Sequence, residues 1–173
     1  MSSVTSRAPE NRAHESPTYP DPMTLQPGDP APTFDLPDQH GEHVSLESLR
    51  GRPVLVYFYP KADTPGCTTQ ACGLNEILGD IGDAAVIGIS PDEPAALDKF
   101  ATKYGLGFPL LSDVDHAVAE AYDVWNLKTN YGREYMGIER SAFFIDPDGM
   151  VREAWYKISA ADTPKRLIAA LST

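Results

Sequence analysis

Two uninterrupted apolar runs constrain the fold of this chain more than any other feature. They are "VLVYFY" at 54–59 and "AAVIGIS" at 84–90. A strand that is apolar at every position is typical of a parallel sheet with helices on both faces. The segment 93–105, "EPAALDKFATKYG", has helical spacing and ends at a glycine. This order of strands and helices predicts an α/β domain with a central sheet flanked by helices.

The sheet is expected to be mixed. "SAFFID" and "VREAWYKI" flank Pro147-Asp148-Gly149, which predicts an antiparallel hairpin near the carboxyl terminus. A second, N-terminal hairpin is expected around the turn residues Asp38 to Gly41.

Three helix assignments are more specific. The apolar spacing of Leu74, Ile77, Leu78 and Ile81 predicts one helical face after the cysteine segment. Asp115 is predicted to cap a short helix. Thr163, which precedes Pro164, is predicted to begin the last helix.

Composition limits the partners and the location. Residues 1–22 are rich in Ser, Pro, Glu and Arg and are predicted to form a disordered tail, whereas 23–173 are expected to fold as one domain. The net charge of −11 argues against nucleic acid as a partner. No run of about 18 apolar residues is present, so no membrane span is predicted. Without an apolar signal segment, a cytoplasmic protein is expected.

Both cysteines of the chain lie in "FYPKADTPGCTTQAC" at 58–72. Thr64 and Pro65 are well suited to the cap and first position of a helix. Cys67 then falls in the first turn, where free backbone N–H groups and the helix dipole favour a thiolate. The end of a buried strand is also where α/β sheets usually carry their sites. The pattern therefore favours a reactive thiol over a core cysteine.

Cys72 lies five positions after Cys67. In a regular helix the two Cα atoms would be roughly 8.7 Å apart, whereas a disulfide tolerates about 6.8 Å at most. The pair can bridge only if the helix unwinds locally. From the residues alone, Cys72 is equally well interpreted as a small buried hydrophobic residue.

The segment resembles the active site of the peroxiredoxins, specifically the bacterioferritin comigratory protein (PrxQ) group. That group's pattern is matched by Pro60, Thr64 and Cys67, and its second cysteine by Cys72. "PGDPAPTFDLPDQHG", "VIGISPDEP" and "YGREYMGIERSAFFIDPDG" also resemble segments of the group. The resemblance covers 24 to about 172 and implies a thioredoxin-like fold.

The resemblance implies a role for each matched residue. Cys67 would be the thiolate that attacks peroxide and becomes a sulfenic acid. Cys72 would resolve it as an intramolecular disulfide, Arg140 would hold the thiolate and polarise the O–O bond, Thr64 would offer its hydroxyl, and Pro60 would shield the thiolate from water. For Arg140, an ion pair with Glu139 is the competing interpretation.

The same resemblance implies a thiol-dependent peroxidase for hydrogen peroxide and organic hydroperoxides. Thioredoxin, or a glutaredoxin-type dithiol, would be the reductant, and no metal, flavin or nucleotide cofactor is expected. The enzyme would be a monomer or a weak homodimer. A polar stretch from Asn126 to Asn130 departs from the family pattern and is expected to affect only the rim of the site.

Other interpretations compete with this one. His40 and His43 with the two cysteines suggest a metal site, but they lie in different segments. A general thiol–disulfide oxidoreductase is disfavoured because it uses Cys-x-x-Cys. A redox sensor would use the same sulfenic acid chemistry without fast recycling. A set of aromatic side chains is interpreted equally well as a substrate pocket or as packing: Tyr57, Phe58, Trp125, Tyr131 and Tyr135.

Overall fold

A five-stranded mixed sheet forms the centre of the molecule. The computed structural model describes residues 24–172. The strands are β1 (Asp35–Pro37), β2 (His43–Ser45), β3 (Val54–Phe58), β4 (Ala85–Ser90), β5 (Leu110–Ser112), β6 (Trp125–Asn130), β7 (Arg133–Ile138), β8 (Ser141–Ile145) and β9 (Val151–Trp155). The central order is β5-β4-β3-β8-β9. Strands β3, β4 and β5 are parallel, and β8 is antiparallel to both β3 and β9.

Within the described part of the chain, four α-helices accompany the strands. They are α1 (Pro65–Glu76), α2 (Pro94–Tyr104), α3 (Ala117–Ala121) and α4 (Asp162–Leu171). Helix α2 ends as the sequence predicts, with Gly105 in the left-handed conformation at φ 63°, which glycine adopts without a steric penalty.

The sheet buries both of its faces. Along β3, Val54, Val56 and Phe58 point into one apolar cluster, which also contains residues of α3 and the N-terminal hairpin. Leu55 and Tyr57 point into the other, which contains residues of α1, α2 and α4. Each such fully buried large side chain contributes about 1.5–3 kcal/mol. This two-sided burial explains why the strand is apolar throughout, and it confirms the predicted α/β class.

The N-terminal hairpin is also confirmed. Strands β1 and β2 pair antiparallel, with Leu36 opposite Val44. The Asp38 carboxylate accepts hydrogen bonds from the backbone N–H groups of His40 and Glu42, which closes the turn.

A second two-stranded hairpin, β6–β7, was not predicted. It includes the Asn126 to Asn130 stretch. Its turn places Tyr131 and Gly132 at φ 54° and 78°, the backbone of a type I′ turn. Most of its side chains are exposed, so no alternation of buried and polar residues marks it in the sequence.

The details of three helices differ from the prediction or add to it. Helix α1 ends at Glu76, so Ile77, Leu78 and Ile81 do not extend its face. At α3, Asp115 accepts the N–H of Ala117 at 3.3 Å, as a capping residue would, and the buried carboxylate of Asp113 also accepts the N–H groups of Val118 and Ala119.

The third is α4, which begins at Asp162, so the predicted start at Thr163 is correct to within one residue. The predicted tail, 1–22, lies outside the described residues. Within 24–172, no helix combines the length and apolarity needed to cross a bilayer.

Candidate active site

The cysteine segment begins α1 at the end of β3. Thr64 is the N-cap, with extended backbone angles of φ −102° and ψ 158°, and Pro65 is the first helical residue. The Thr64 hydroxyl does not cap the helix. It donates instead to the carbonyl oxygen of Lys61, 2.8 Å away. The backbone therefore sets the start of the helix, and the Thr64 oxygen keeps its acceptor capacity.

The loop between β3 and α1 is held by two carboxylates. Asp92 accepts the backbone N–H of Ala62 at 2.7 Å. Asp63 has φ 59° and accepts hydrogen bonds from Lys103 at 3.0 Å and from the Tyr104 hydroxyl at 2.9 Å. The Lys103 hydrogen bond, and then that of Tyr104, lower the pKa of Asp63. These contacts tie the loop to the sheet and to α2.

Cys67 lies in the first turn of α1 and is only 1% exposed. It belongs to an apolar cluster that includes Tyr57, Tyr59 and Ala71. The first turn holds no acidic residue, so no carboxylate on it opposes a negative sulfur at the positive end of the helix dipole. A thiol in this place is shielded from water and lies at the amino-terminal end of the helix.

Arg140 reaches the same point from another part of the chain. Strand β8 pairs with β3 so that Ser141 lies opposite Phe58, which puts the preceding residue at the end of β3 where α1 begins. Arg140 Nη2 lies 3.5 Å from Sγ of Cys67. Glu139, the alternative partner, is bound instead by Asn126 at 2.8 Å and Lys157 at 3.7 Å. The guanidinium is therefore directed at the sulfur.

Gln70 and Thr163 complete the surroundings of Arg140 and were missed from the sequence. Arg140 Nη1 donates to Gln70 Oε1 at 2.7 Å, and Gln70 Nε2 donates to the Thr163 hydroxyl at 2.9 Å. Both Gln70 and Thr163 are fully buried. A glutamine one turn after a reactive cysteine is the signal that could have drawn attention to it.

Cys72 lies on the same helix as Cys67. Both thiols are free, and Cys72 is partly exposed. Helix α1 is continuous from Pro65 to Glu76, so helix geometry puts the two Cα atoms roughly 8.7 Å apart. The helical form of the segment keeps the two thiols from bonding.

Pro60 and the aromatic residues that were considered for the site lie in several parts of the fold. Pro60 is half-buried at the start of the loop. Tyr57 and Phe58 are buried on opposite faces of the sheet, and Trp125 stacks on His116 at 4.0 Å.

The other two aromatic residues, Tyr131 and Tyr135, are exposed on the β6–β7 hairpin, Tyr131 to 97%. The five aromatic residues do not form one pocket, and for Tyr57 and Phe58 the packing interpretation is right.

The hydroxyls of Tyr57 and Tyr59 lack hydrogen-bond partners among the described residues. Ser90, which lies near Tyr59, donates its hydroxyl hydrogen to Asp92 instead. Burial raises the pKa of both tyrosines well above the usual value. Both tyrosines stay neutral, and their side chains belong to the buried apolar cluster that contains Cys67.

The histidines considered as metal ligands pair with carboxylates. His43 Nδ1 lies 2.7 Å from Asp35, and His40 Nδ1 lies 3.9 Å from Asp98. Within residues 24–172, no three His, Cys, Asp or Glu side chains are grouped to hold a metal ion.

Comparison with known proteins identifies the family. Residues 27–154 match the AhpC/TSA family. The chain is 47% identical over 143 residues to peroxiredoxin Bcp of Bacillus subtilis, covering 81% of this chain and 90% of that protein. It is 51% identical over 133 residues to peroxiredoxin Bcp of Escherichia coli, covering 76% and 85%.

Solved structures agree on the fold. The bacterioferritin comigratory protein of Xanthomonas campestris, whose structures address its alkyl peroxide reduction activity, superposes with a TM-score of 0.76 at 36% identity, covering 88% of this chain and 98% of that one. Peroxidoxin BcpB of Mycobacterium tuberculosis gives 0.76 at 33%, covering 86% and 97%. The expected thioredoxin-like fold is confirmed. With a buried thiol facing an arginine at the start of α1, and with these relatives, the chain belongs to the AhpC/TSA family and within it to the Bcp/PrxQ peroxiredoxins, which are thiol peroxidases.

Proposed function

We propose that this enzyme reduces hydrogen peroxide and organic hydroperoxides through a sulfenic acid on Cys67. Cys72 then resolves this acid as an intramolecular disulfide. Thioredoxin or a glutaredoxin-type dithiol restores both thiols. One observation carries the proposal: the guanidinium of Arg140 lies 3.5 Å from the buried sulfur of Cys67. Organic hydroperoxides are included because the Xanthomonas relative is described by its alkyl peroxide reduction activity.

The first step is a displacement at oxygen. The Cys67 thiolate attacks the terminal oxygen of ROOH, the S–O bond forms as the O–O bond breaks, and the leaving RO⁻ takes up a proton to become ROH. Sulfur is oxidised and the peroxide is reduced by two electrons. Negative charge moves from sulfur to the leaving oxygen, and the Arg140 guanidinium stabilises it along that path.

Thr64 and Pro60 act on the substrate side. The hydroxyl hydrogen of Thr64 is donated to Lys61, so the oxygen faces the substrate as an acceptor for the hydroperoxide O–H. This contact holds the terminal oxygen of the peroxide, which carries that hydrogen, in position for attack by Cys67. Pro60 has no N–H to solvate and limits the approach of water.

The second step joins the two thiols. The Cys72 thiol attacks the sulfenic sulfur, a disulfide forms, and the hydroxyl leaves as water. Because helical geometry holds the residues too far apart, α1 must unwind between Cys67 and Cys72. A dithiol then donates two electrons and reforms both thiols. Since both thiols lie on one chain, the disulfide needs no second subunit, and we propose that the enzyme is a monomer or a weak homodimer. The location proposed is the reducing cytoplasm.

Intact mass after one equivalent of hydrogen peroxide tests this scheme. The wild-type enzyme should lose about 2 Da and all free thiol, and Cys72→Ser should gain about 16 Da as the sulfenic acid. Cys67→Ser is the matched control and should keep its mass. Two surviving thiols in the wild type would contradict the proposal. Turnover with thioredoxin separates this enzyme from a sensor, which would react once and recycle slowly.

A further inference from the structure

Gln70 is the buried residue that joins Arg140 to helix α4. Arginine can only donate, so its 2.7 Å contact fixes the Gln70 carbonyl oxygen toward Arg140 and leaves the amide nitrogen facing Thr163. The Thr163 hydroxyl accepts this bond and donates its own hydrogen to the Ser159 carbonyl at 2.9 Å. The donor and the acceptor are therefore known for each of these three hydrogen bonds.

One face of α1 carries these contacts. Positions 66, 70 and 73 follow the i, i+4, i+7 spacing of a helix face. A Cβ at Gly66 would lie 2.9 Å from Arg140 Nη2, and one at Gly73 would lie 2.9 Å from Pro164 Cγ. The face is thus packed against Arg140 at one end and against α4 at the other, with Gln70 between them.

Gln70 also lies between the two thiols in sequence. Any unwinding that brings Cys72 within disulfide distance of Cys67 changes the backbone from 67 to 72 and displaces Gln70. Its hydrogen bonds to Arg140 and Thr163 must then break, and the Gln70 side chain is fully buried, where losing a partner is costly.

We infer that Gln70 and Thr163 are positioning residues that form a latch on α1, and that their hydrogen bond sets how fast the Cys67–Cys72 disulfide forms. This inference rests on the proposed function, in which Cys72 supplies the second thiol. While the latch holds, the sulfenic acid persists and a second peroxide molecule can oxidise it to sulfinic acid, releasing ROH. When the latch opens, Cys72 reaches the sulfenic sulfur and water leaves.

Thr163→Val tests the latch without touching Arg140. Valine keeps the shape but removes both hydrogen-bonding roles, so the helical form of α1 loses a partner for Gln70. After mixing with peroxide, alkylation and mass analysis should show disulfide formation about 5–10-fold faster. The fraction converted to sulfinic acid by excess peroxide should fall in parallel, and Thr163→Ser should restore both values.

Gln70→Met removes the hydrogen bonds of residue 70 to both Arg140 and Thr163, whereas Thr163→Val removes only the second. It should speed disulfide formation as Thr163→Val does, and it should also slow the peroxide step about tenfold, because Arg140 loses its hydrogen-bond acceptor. In Thr163→Val the peroxide step should change by less than about threefold, since the Arg140–Gln70 bond remains.

Tyr122→Phe is the matched control. Its hydroxyl donates a partly buried 2.7 Å hydrogen bond to the Pro32 carbonyl, away from α1. Disulfide formation in this variant should match the wild type. An unchanged rate in Thr163→Val, or an equal acceleration in Tyr122→Phe, would overturn the inference, because the effect would then be absent or would reflect general loosening.

A second measurement is independent of Cys72 chemistry. In the reduced enzyme without peroxide, amide hydrogen exchange across 68–76 should be about 5–10-fold faster in Thr163→Val than in the wild type or Tyr122→Phe. Unchanged exchange overturns the latch even if the disulfide forms. A wild-type enzyme that forms no disulfide defeats the proposed function instead, so the two failures are distinguishable.

Discussion

The guanidinium of Arg140 lies 3.5 Å from Sγ of Cys67, although the two residues are 73 positions apart in the sequence. The register of the sheet creates this contact, since β8 runs antiparallel to β3 with Ser141 opposite Phe58. A shift of one residue would turn each β8 side chain to the other face. The pairing of two buried strands therefore positions the charge that faces the thiol.

Arg140→Lys should slow the reaction with peroxide by about 10–100-fold. Lysine keeps the positive charge but not the planar fork that contacts Cys67 and Gln70 at once. Stopped-flow measurement of the second-order rate constant checks this. Arg133→Lys, on the exposed hairpin, is the control and should react at the wild-type rate. An Arg140→Lys rate within about threefold of wild type would show that charge alone suffices.

Gly66→Ala should slow the peroxide step about tenfold, although alanine is the better helix former by about 1 kcal/mol. The added Cβ would lie 2.9 Å from Arg140 Nη2 and would displace the guanidinium from the sulfur. Gly79→Ala provides the control, because a Cβ there has no neighbour within 4 Å. Equal rates in the two variants would argue that the guanidinium position is unimportant.

Thr64→Val should slow the peroxide step by about 10–100-fold, and Thr64→Ser should keep most of the rate. Valine retains the size of the side chain but removes the oxygen that receives the hydroperoxide O–H, together with the 2.8 Å bond to Lys61. The rate constants of the two variants with hydrogen peroxide make the comparison. A slow serine variant would point to the methyl group, rather than the hydroxyl, as the feature that matters.

Asp113→Asn should change how stability depends on pH. Burial raises the pKa of Asp113 above its ordinary value of about 3.9, against the opposing hydrogen bonds from Ala119 and Val118. The folded state then binds the proton more tightly than the unfolded state, so the contribution of Asp113 to stability falls as pH rises from its unfolded to its folded pKa. Asparagine removes this dependence.

Urea denaturation at several pH values across that window measures the effect. The free energy of unfolding of Asp113→Asn, relative to wild type, should rise with pH through the window and level off above it. Glu153→Gln, at an exposed carboxylate on β9, serves as the control. A relative free energy that falls with increasing pH would contradict the raised pKa.

The local features of the site could be predicted from the sequence. The apolar run at 54–59 predicts the buried strand β3, and Pro65 predicts the start of α1, because both depend on neighbouring residues. The position of Cys67 in the first turn follows from these two. The N-terminal hairpin and the Gly105 helix end were predictable for the same reason.

Contacts between distant residues were not predicted. The buried Asp113 accepts two N–H groups of α3 in addition to the one that Asp115 accepts. Thr163, at the start of α4, also accepts a hydrogen bond from Gln70. The β6–β7 hairpin carries little buried apolar surface, so hydrophobic periodicity does not predict it. Its distinctive feature is the turn, in which Tyr131 and Gly132 both have positive φ.

The sequence by itself determined the buried strands and the main helices and put both thiols on one helix, because hydrophobic periodicity and capping act over a few residues. Only the tertiary structure decided what faces Cys67 and what holds α1. The contacts of Arg140 with Cys67 and Gln70, and of Gln70 with Thr163, join residues 70 to 93 positions apart. Such partners depend on strand register and helix packing, which no local pattern specifies.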